Sequence, residues 1–580
     1  MVILLLLWRA EGYHQSAVGH LSPFIHECRT YYLNSRTSTV VEGEVYKGIY
    51  KSLVGKGTKL LMGPRGCGKT HLMKYAWLKC KSDEKMPLGI YVSFNKYFRL
   101  EPFLERKSNA ITLFNKWALT KILLSSYEVA LLIEEEEDID LSSILLGKKD
   151  DLVELISRLE QALTPLPHME DLYQSISVSS VSTAILMLSK WLSRRSIILY
   201  LDDAAITLTP DYLYELFDII RSLKSEKISI KASIYPGTTE FGPNFHATHE
   251  AETINLWLSV EDQEYSSILG AIIKKRAPEF LSEINSDIIE IFKYASFGIP
   301  RTLLVMLRDY HSTTGSTSQQ KFNKVLDNVI EYRLNEYLSL SKKLPKYENL
   351  INLGAIVLEN AINAIYISNS EPSDLKQITF AIEKSNNSLF DRMIKFLVEV
   401  GLLYSLPIVS HGDDRKYERF IPHLGMLIRK RTFSSRSKGF SIKNELDNIN
   451  KKNNKHPVRK NIDSILGVGN ENRLALTLPP CKRCSAIRLT DTQRFCHQCG
   501  EQLIDESTYT KCMALELCKL PILTEWQRSR IGAILGRKTI GEFLTIQDPG
   551  SELRQIKNIG QKRADKIIQQ LLAYVDEFLS

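Results

Sequence analysis

Thr58-Lys59-Leu60-Leu61-Met62-Gly63-Pro64-Arg65-Gly66-Cys67-Gly68-Lys69-Thr70 runs from a short apolar segment through a glycine-rich turn into a helical stretch, His71 to Leu78. Glycines in such a turn let backbone N–H groups point inward around phosphate oxygens, and the helix N-terminus behind them favours the same negative charge. Lys69 offers a point charge to the β- and γ-phosphates, and Thr70 a hydroxyl to Mg2+. The order strand, turn, helix is the context this pattern requires. The eight residues Gly63, Pro64, Arg65, Gly66, Cys67, Gly68, Lys69 and Thr70 therefore read as a cradle for ATP.

Such a cradle needs an apolar strand that ends in a carboxylate, and Ile197-Ile198-Leu199-Tyr200-Leu201-Asp202-Asp203 supplies it. Asp202 would hold the Mg2+ shell, directly or through water. Asp203 stands where many such ATPases carry the glutamate that orients the attacking water. Being one methylene shorter, it predicts hydrolysis that is slow or needs a partner. Ser233 and Thr238 are both candidates for the polar residue that ends the next strand, and the sequence does not choose between them. Further on, Phe297-Gly298-Ile299-Pro300-Arg301 opens a helix in an all-α region.

Strand candidates at 58–62, 88–94, 196–201, 228–235 and 253–258 alternate with helical patterns, which predicts an α/β fold on a parallel sheet. Together these features resemble the AAA+ ATPases, and most of all their origin-recognition-complex and replication-initiator branch, over residues 40–430. The resemblance implies that Arg301 is a lid arginine reaching the γ-phosphate from the same subunit. It also implies an arginine finger, yet Ala232 to Thr253 contains no arginine or lysine, and Arg221, Arg194 and Arg195 substitute only loosely.

A chain of 580 residues exceeds one hydrophobic core. The expected division is an N-terminal segment at 1–39, the P-loop core at 40–259, a helical lid at 260–345 and a winged-helix-like domain at 346–431. A basic flexible linker at 432–476, a zinc ribbon at 477–506 and a helix-hairpin-helix domain at 507–580 complete it. In the winged part, two helix-like segments are expected within 378–403, followed by a hairpin around Ser410 to Lys416. The acidic run Glu134 to Asp138 reads as a solvated helix end or loop. The net charge of +8 is concentrated in the linker, where Arg429, Lys430, Arg431, Arg436, Lys438, Lys443, Lys451, Lys452, Lys455, Arg459 and Lys460 face only Glu445 and Asp447.

Of nine cysteines, Cys481, Cys484, Cys496 and Cys499 form two Cys-x-x-Cys pairs. That spacing predicts a closed tetrahedral site for structural Zn2+ and resembles a zinc ribbon. The scatter of the others excludes a disulfide framework. Near the C-terminus, Leu553 to Ile567 resembles a helix-hairpin-helix. Its turn at Ile559-Gly560 presents N–H groups, and Lys562 and Arg563 add charge in a helical first turn, where an external anion explains them. Ile559, Gly560, Lys562 and Arg563 are thus the DNA-binding candidates.

Met1 to Trp8 is apolar but shorter than a membrane span, without a basic segment before it. A buried strand or a misassigned start is expected there, in a cytoplasmic protein with no membrane association. The combined expectation is an initiator- or loader-like ATPase that uses ATP to regulate engagement of double-stranded DNA. A protein partner (helicase, nuclease or other effector) and a homo-oligomer are compatible with it. The settings are replication, a mobile element or defence against foreign DNA. The alternative is a signal-transducing switch that holds ATP and docks proteins through its C-terminal modules.

Overall fold

The computed structural model describes residues 44–579 apart from short segments, the longest being 95–99, 101–108, 204–209, 435–440, 504–511 and 531–538. The apolar run Met1 to Trp8, Thr238 and the tip of the wing at 412–414 lie outside the described residues. The first helix, α1 (Glu44–Val54), precedes β1 (Lys59–Met62), and α2 (Lys69–Ser82) leads to β2 (Leu88–Ser93). A helical excursion follows, with α3 (Ala110–Glu134), α4 (Lys149–Glu160) and α5 (Val178–Trp191). It returns through β3 (Ile197–Asp202), α6 (Pro210–Leu223), β4 (Ile228–Ile234) and β5 (Glu252–Asn255).

The five strands form one parallel sheet in the order β2-β3-β4-β1-β5. Strands buried on both faces of such a sheet read as continuous apolar runs, as β3 does. Its residues alternate between two cores. Ile198 and Tyr200 face the cluster containing α1, α2 and the lid, while Ile197, Leu199 and Leu201 face the cluster of α3 to α6. The order also has a functional consequence. With β4 between β1 and β3, the tip of β4 lies between the phosphate loop and the carboxylates.

The lid is made by α7 (Tyr265–Arg276), α8 (Ser286–Ala295), α9 (Pro300–Ser312) and α10 (Ser318–Lys343). The next module holds α11 (Glu348–Ser370), β6 (Phe380–Glu383), α12 (Ser388–Glu399), the hairpin β7 (Leu403–His411) and β8 (Arg415–Pro422), and α13 (Leu424–Arg429). Here the structure departs from expectation. Region 378–403 contains a strand and one helix, because Phe380, Ala381 and Ile382 pair with Phe420, Arg419 and Glu418. The helical run Pro345–Ser370 is long and apolar enough to cross a membrane, and half of its most apolar stretch is buried. Its apolar face packs in the same cluster as the lid.

The segment expected to be a flexible linker carries regular structure among its described residues. It contains α14 (Ile442–Asn450), β9 (Val458–Lys460) and α15 (Ile462–Leu466), and β9 adds to the winged sheet in parallel with β6. Leu446, Ile449, Ile465 and Leu466 are buried in the lid–wing core. Each such burial contributes about 2 kcal/mol, enough to hold a polar strap in place. Lys452 donates to Val260 O at 2.9 Å and Asn360 Nδ2 to Ile465 O at 2.8 Å, so part of the basic charge is spent on the fold. The C-terminal helices α16 (Ile540–Leu544), α17 (Pro549–Arg554) and α18 (Gln561–Leu579) bury Leu553, Ile556, Ala564, Ile567 and Leu571.

Candidate ATP site and the two C-terminal sites

The turn after β1 adopts the backbone its glycines permit. Gly66 and Gly68 have φ of 88° and 104°, in the region L side chains avoid. At Gly63 an added Cβ would lie 2.8 Å from Cys67 Sγ, so glycine is required there by close approach. Lys69 opens α2, and its ammonium is buried, donating to Gly63 O at 2.5 Å and Pro64 O at 3.3 Å. Burial lowers its pKa, and the Cys67 thiol and the carboxylates of Asp202 and Asp203 oppose that shift. Burial also pushes the Cys67 thiol up, making it an inert part of the loop. Thr70 is exposed in the first turn.

Asp202, at the tip of β3, is buried. Its Oδ2 accepts a hydrogen bond from Tyr91 Oη at 2.5 Å, and its Oδ1 has no partner. A buried orphan carboxylate oxygen is costly unless a cation or donor completes it. The residues present therefore fit Mg2+: Asp202 Oδ1 and the Thr70 hydroxyl would hold the ion, which would supply charge neutralisation on the phosphates. Asp203 sits at φ 53°, a left-handed conformation that costs an aspartate about 1 kcal/mol. Burial, then the neighbouring Asp202 charge, raises its pKa.

Arg301 lies against the loop from the lid side. Its N–H reaches Gly66 O at 3.4 Å, and a Cβ built on Gly66 would be 3.1 Å from both Arg301 Cβ and Ile299 Cγ2. The lid turn depends on Phe297 and Gly298, both at positive φ (56° and 73°), and a Cβ on Gly298 would fall 2.2 Å from Leu258 O. Trp257 Nε1 donates to Phe297 O at 2.6 Å and locks this turn. The winged module meets the same place, because Gly401 packs against Ile299, Pro64 and Trp257. Behind it His423 is fully buried with neither ring nitrogen hydrogen-bonded, and burial pushes its pKa down to about 3.

The structure brings Gly63 to Thr70, Asp202, Asp203 and Arg301 into one constellation. Of the two polar candidates on the next strand, Ser233 is buried with an unpartnered Oγ. Sequence reasoning missed Tyr235, whose ring centroid is 3.9 Å from Lys69 Nζ and 5.9 Å from the Arg65 guanidinium carbon. An aromatic at a strand end reads as core, and only the strand order reveals its position. Arg194 is excluded as an arginine finger: it is buried and donates to the carbonyls of Cys80, Met86 and Asp83. Arg221 is exposed and faces Glu250 at 3.6 Å.

The four thiols form a second group. Cys481 and Cys499 sulfurs are 3.5 Å apart, as are those of Cys484 and Cys496, and all four lie within 4.8 Å of one another. Four thiolates about 2.3 Å from a tetrahedral Zn2+ would be about 3.8 Å apart, so the set fits that ion. Backbone N–H groups of Cys499 and Gln498 lower the Cys496 pKa to about 6. In the third group, Ile559 is buried while Gly560, Lys562 and Arg563 are exposed at the start of α18, whose first turn closes on Gly560 O at 3.0 Å.

The profile of the ORC-CDC6-like family matches residues 45–403. No curated protein matches. Among solved structures, the chain is similar to a Walker-type ATPase of Pyrococcus abyssi, at 14% identity and a TM-score of 0.37, covering 67% of this chain and 95% of that one. It is also similar to a signal transduction ATPase with numerous domains and a tetratricopeptide repeat sensor from Pyrococcus horikoshii. There identity is 15% and the TM-score 0.21, over 69% of this chain and 43% of that one.

Proposed function

The chain belongs to the ORC-CDC6-like family, and from that membership and the site geometry we propose an ATPase that uses ATP binding and hydrolysis to regulate its engagement of double-stranded DNA. The observation that carries the nucleotide part is the convergence of Lys69, after β1, with Asp202 and Asp203 at the tip of β3, the two strands flanking β4. Lys69 binds the phosphates, Asp202 keeps one oxygen for the metal shell, and Asp203 orients the attacking water and takes its proton. Mg2+ bound there supplies Lewis-acid stabilisation of the phosphate charge. Arg301 reaches the γ-phosphate from the lid.

The DNA part rests on Lys562 and Arg563, exposed at a helix start where the macrodipole disfavours cations unless an anion is present. A Zn2+ held by the four cysteines gives the preceding module its fold and takes no part in chemistry, since four thiolates leave no open position.

The test is the ATPase rate with and without double-stranded DNA, for the full chain, Lys69→Ala and a chain ending at Leu478, which retains the folded strap. Stimulation that the truncation abolishes supports this reading. A chain that holds ATP but ignores DNA would instead be a signal-transducing switch that waits for a protein.

A further inference from the structure

We propose that Tyr235 is a positioning residue that clamps Lys69 and thereby sets nucleotide affinity; this rests on the ATP-binding reading of the phosphate loop. Lys69 is buried, and a buried ammonium needs partners for its charge. Three surround it here: Gly63 O at 2.5 Å, Pro64 O at 3.3 Å, and the Tyr235 ring with its centroid at 3.9 Å. Two of these belong to the loop itself. The third, Tyr235, directly follows β4, which the sheet order inserts between the phosphate-loop strand and the carboxylate strand.

The placement of the ring is built in. Lys231, Ser233 and Tyr235 alternate along one line of the chain, so they share a face. Lys231 on that face reaches Gly55 O and Gly57 O at 2.7 Å, in the segment leading into β1. The Tyr235 N–H donates to Thr239 Oγ1 at 3.0 Å, which fixes the backbone as it leaves the strand. Arg65, the other cation of the loop, lies 5.9 Å from the same ring. The ring thus lies within cation–π range of both cations of the phosphate loop.

Phosphate oxygens compete for the same ammonium. To take it, ATP must draw Lys69 off the ring and off both carbonyls, so the clamp lowers apparent affinity by the fraction of time Lys69 is engaged. A desolvated ammonium over an aromatic face is among the stronger cation–π contacts. The ring face, and not the phenol hydroxyl, supplies this attraction.

The test is ATP affinity, with Mg2+, measured by titration calorimetry on the full chain. Tyr235→Leu and the unbranched Tyr235→Met are expected to bind ATP about tenfold more tightly, about 1.4 kcal/mol. Tyr235→Phe, which keeps the ring, should match the wild type. In a Lys69→Met background Tyr235→Met should change nothing, a dependence that a purely structural role would not show. The clamp is overturned if Tyr235→Met binds no tighter than wild type, if Tyr235→Phe tightens as much, or if the gain survives without Lys69. Because Leu risks misfolding at a buried position, Met carries the decision, with thermal melting of each variant as control. Absence of ATP binding in wild type and all variants removes the phosphate-loop reading, and the clamp with it.

Discussion

His423 allows a direct test of whether the junction of lid and winged module is dry. Its ring is buried, packs tilted against Phe297 at a centroid distance of 5.1 Å, and has neither nitrogen hydrogen-bonded. Burial, with the Arg333 guanidinium nearby, lowers its pKa from 6.5 to about 3. The folded state therefore keeps it neutral while the unfolded chain binds a proton below pH 6.5. The sign follows: its contribution is fully present above pH 6.5 and is lost as pH falls toward 3. Each pH unit in that window costs about 1.4 kcal/mol, so about 2 kcal/mol is lost between pH 6.5 and pH 5. The assay is urea unfolding of wild type and His423→Leu at pH 7.5, 6 and 5, followed by tryptophan fluorescence. Trp257 reports locally, since its ring lies 5.3 Å from that of Phe297. Taking the difference between the two proteins cancels the other titrating groups. Their stability gap should shift by about 2 kcal/mol in favour of His423→Leu on going to pH 5. A gap that stays constant with pH would mean that His423 is hydrated, and the dry junction inferred from its burial would be wrong.

Gly298→Ala should destabilise the lid, since the left-handed backbone costs about 1–2 kcal/mol and the new Cβ meets the Leu258 carbonyl at 2.2 Å; thermal melting would show it. Gly560→Ala, with nothing within 4 Å, should melt with the wild type. Glu445 is buried and its pKa is raised to about 7, first by burial. Its protonated form is favoured in the fold, so stability is retained below pH 4.5 and falls as pH rises toward 7; Glu445→Gln should lose that pH dependence in melting scans. Chelation of metal, or Cys481→Ser, should unfold the zinc module while leaving ATP binding unchanged, read by thiol titration alongside calorimetry. Lys562→Glu with Arg563→Glu should weaken DNA binding and reduce the slope of log affinity against log salt by about 2, measured by fluorescence anisotropy.

The ATP site was legible because its parts are contiguous in sequence. Gly63 to Thr70 forms one turn, and Asp202-Asp203 ends one strand, so local pattern and spatial site coincide. Tyr235 was not legible, because its role arises from strand order, a non-local property. The strap at 432–476 was misread for a different reason. Its composition is polar, and its few anchors, Leu446 with Ile449 and Ile465 with Leu466, are too sparse to outweigh eleven basic residues counted from Arg429 to Lys460. What they lack in number is supplied by pairing with an existing sheet edge, which no composition reveals. The strand at 380–383 was hidden similarly, since a short apolar run fits helix or strand until its partner is known.

The same contacts define what moves as a unit when the nucleotide changes. The lid and winged module share one core, and the strap ties them again through β9 and through Lys452 on Val260. At the phosphate loop Ile299 and Arg301 meet Gly66 and Gly401 meets Pro64, and the same apolar cluster takes in Leu61, Cys67, Leu72 and Met73 of the loop and its flanking elements. Closer to α12, Arg392 pairs with Glu240 of the core, which also accepts from Tyr214 Oη at 3.0 Å. A broad apolar interface resists shear. Lid, wing and strap are thus held to one another, and to the elements flanking the phosphate loop, by one apolar cluster. Separate motion of the wing would require unpairing β9 from β6 and exposing Leu446 and Ile465, a larger penalty than loss of the Arg392–Glu240 pair.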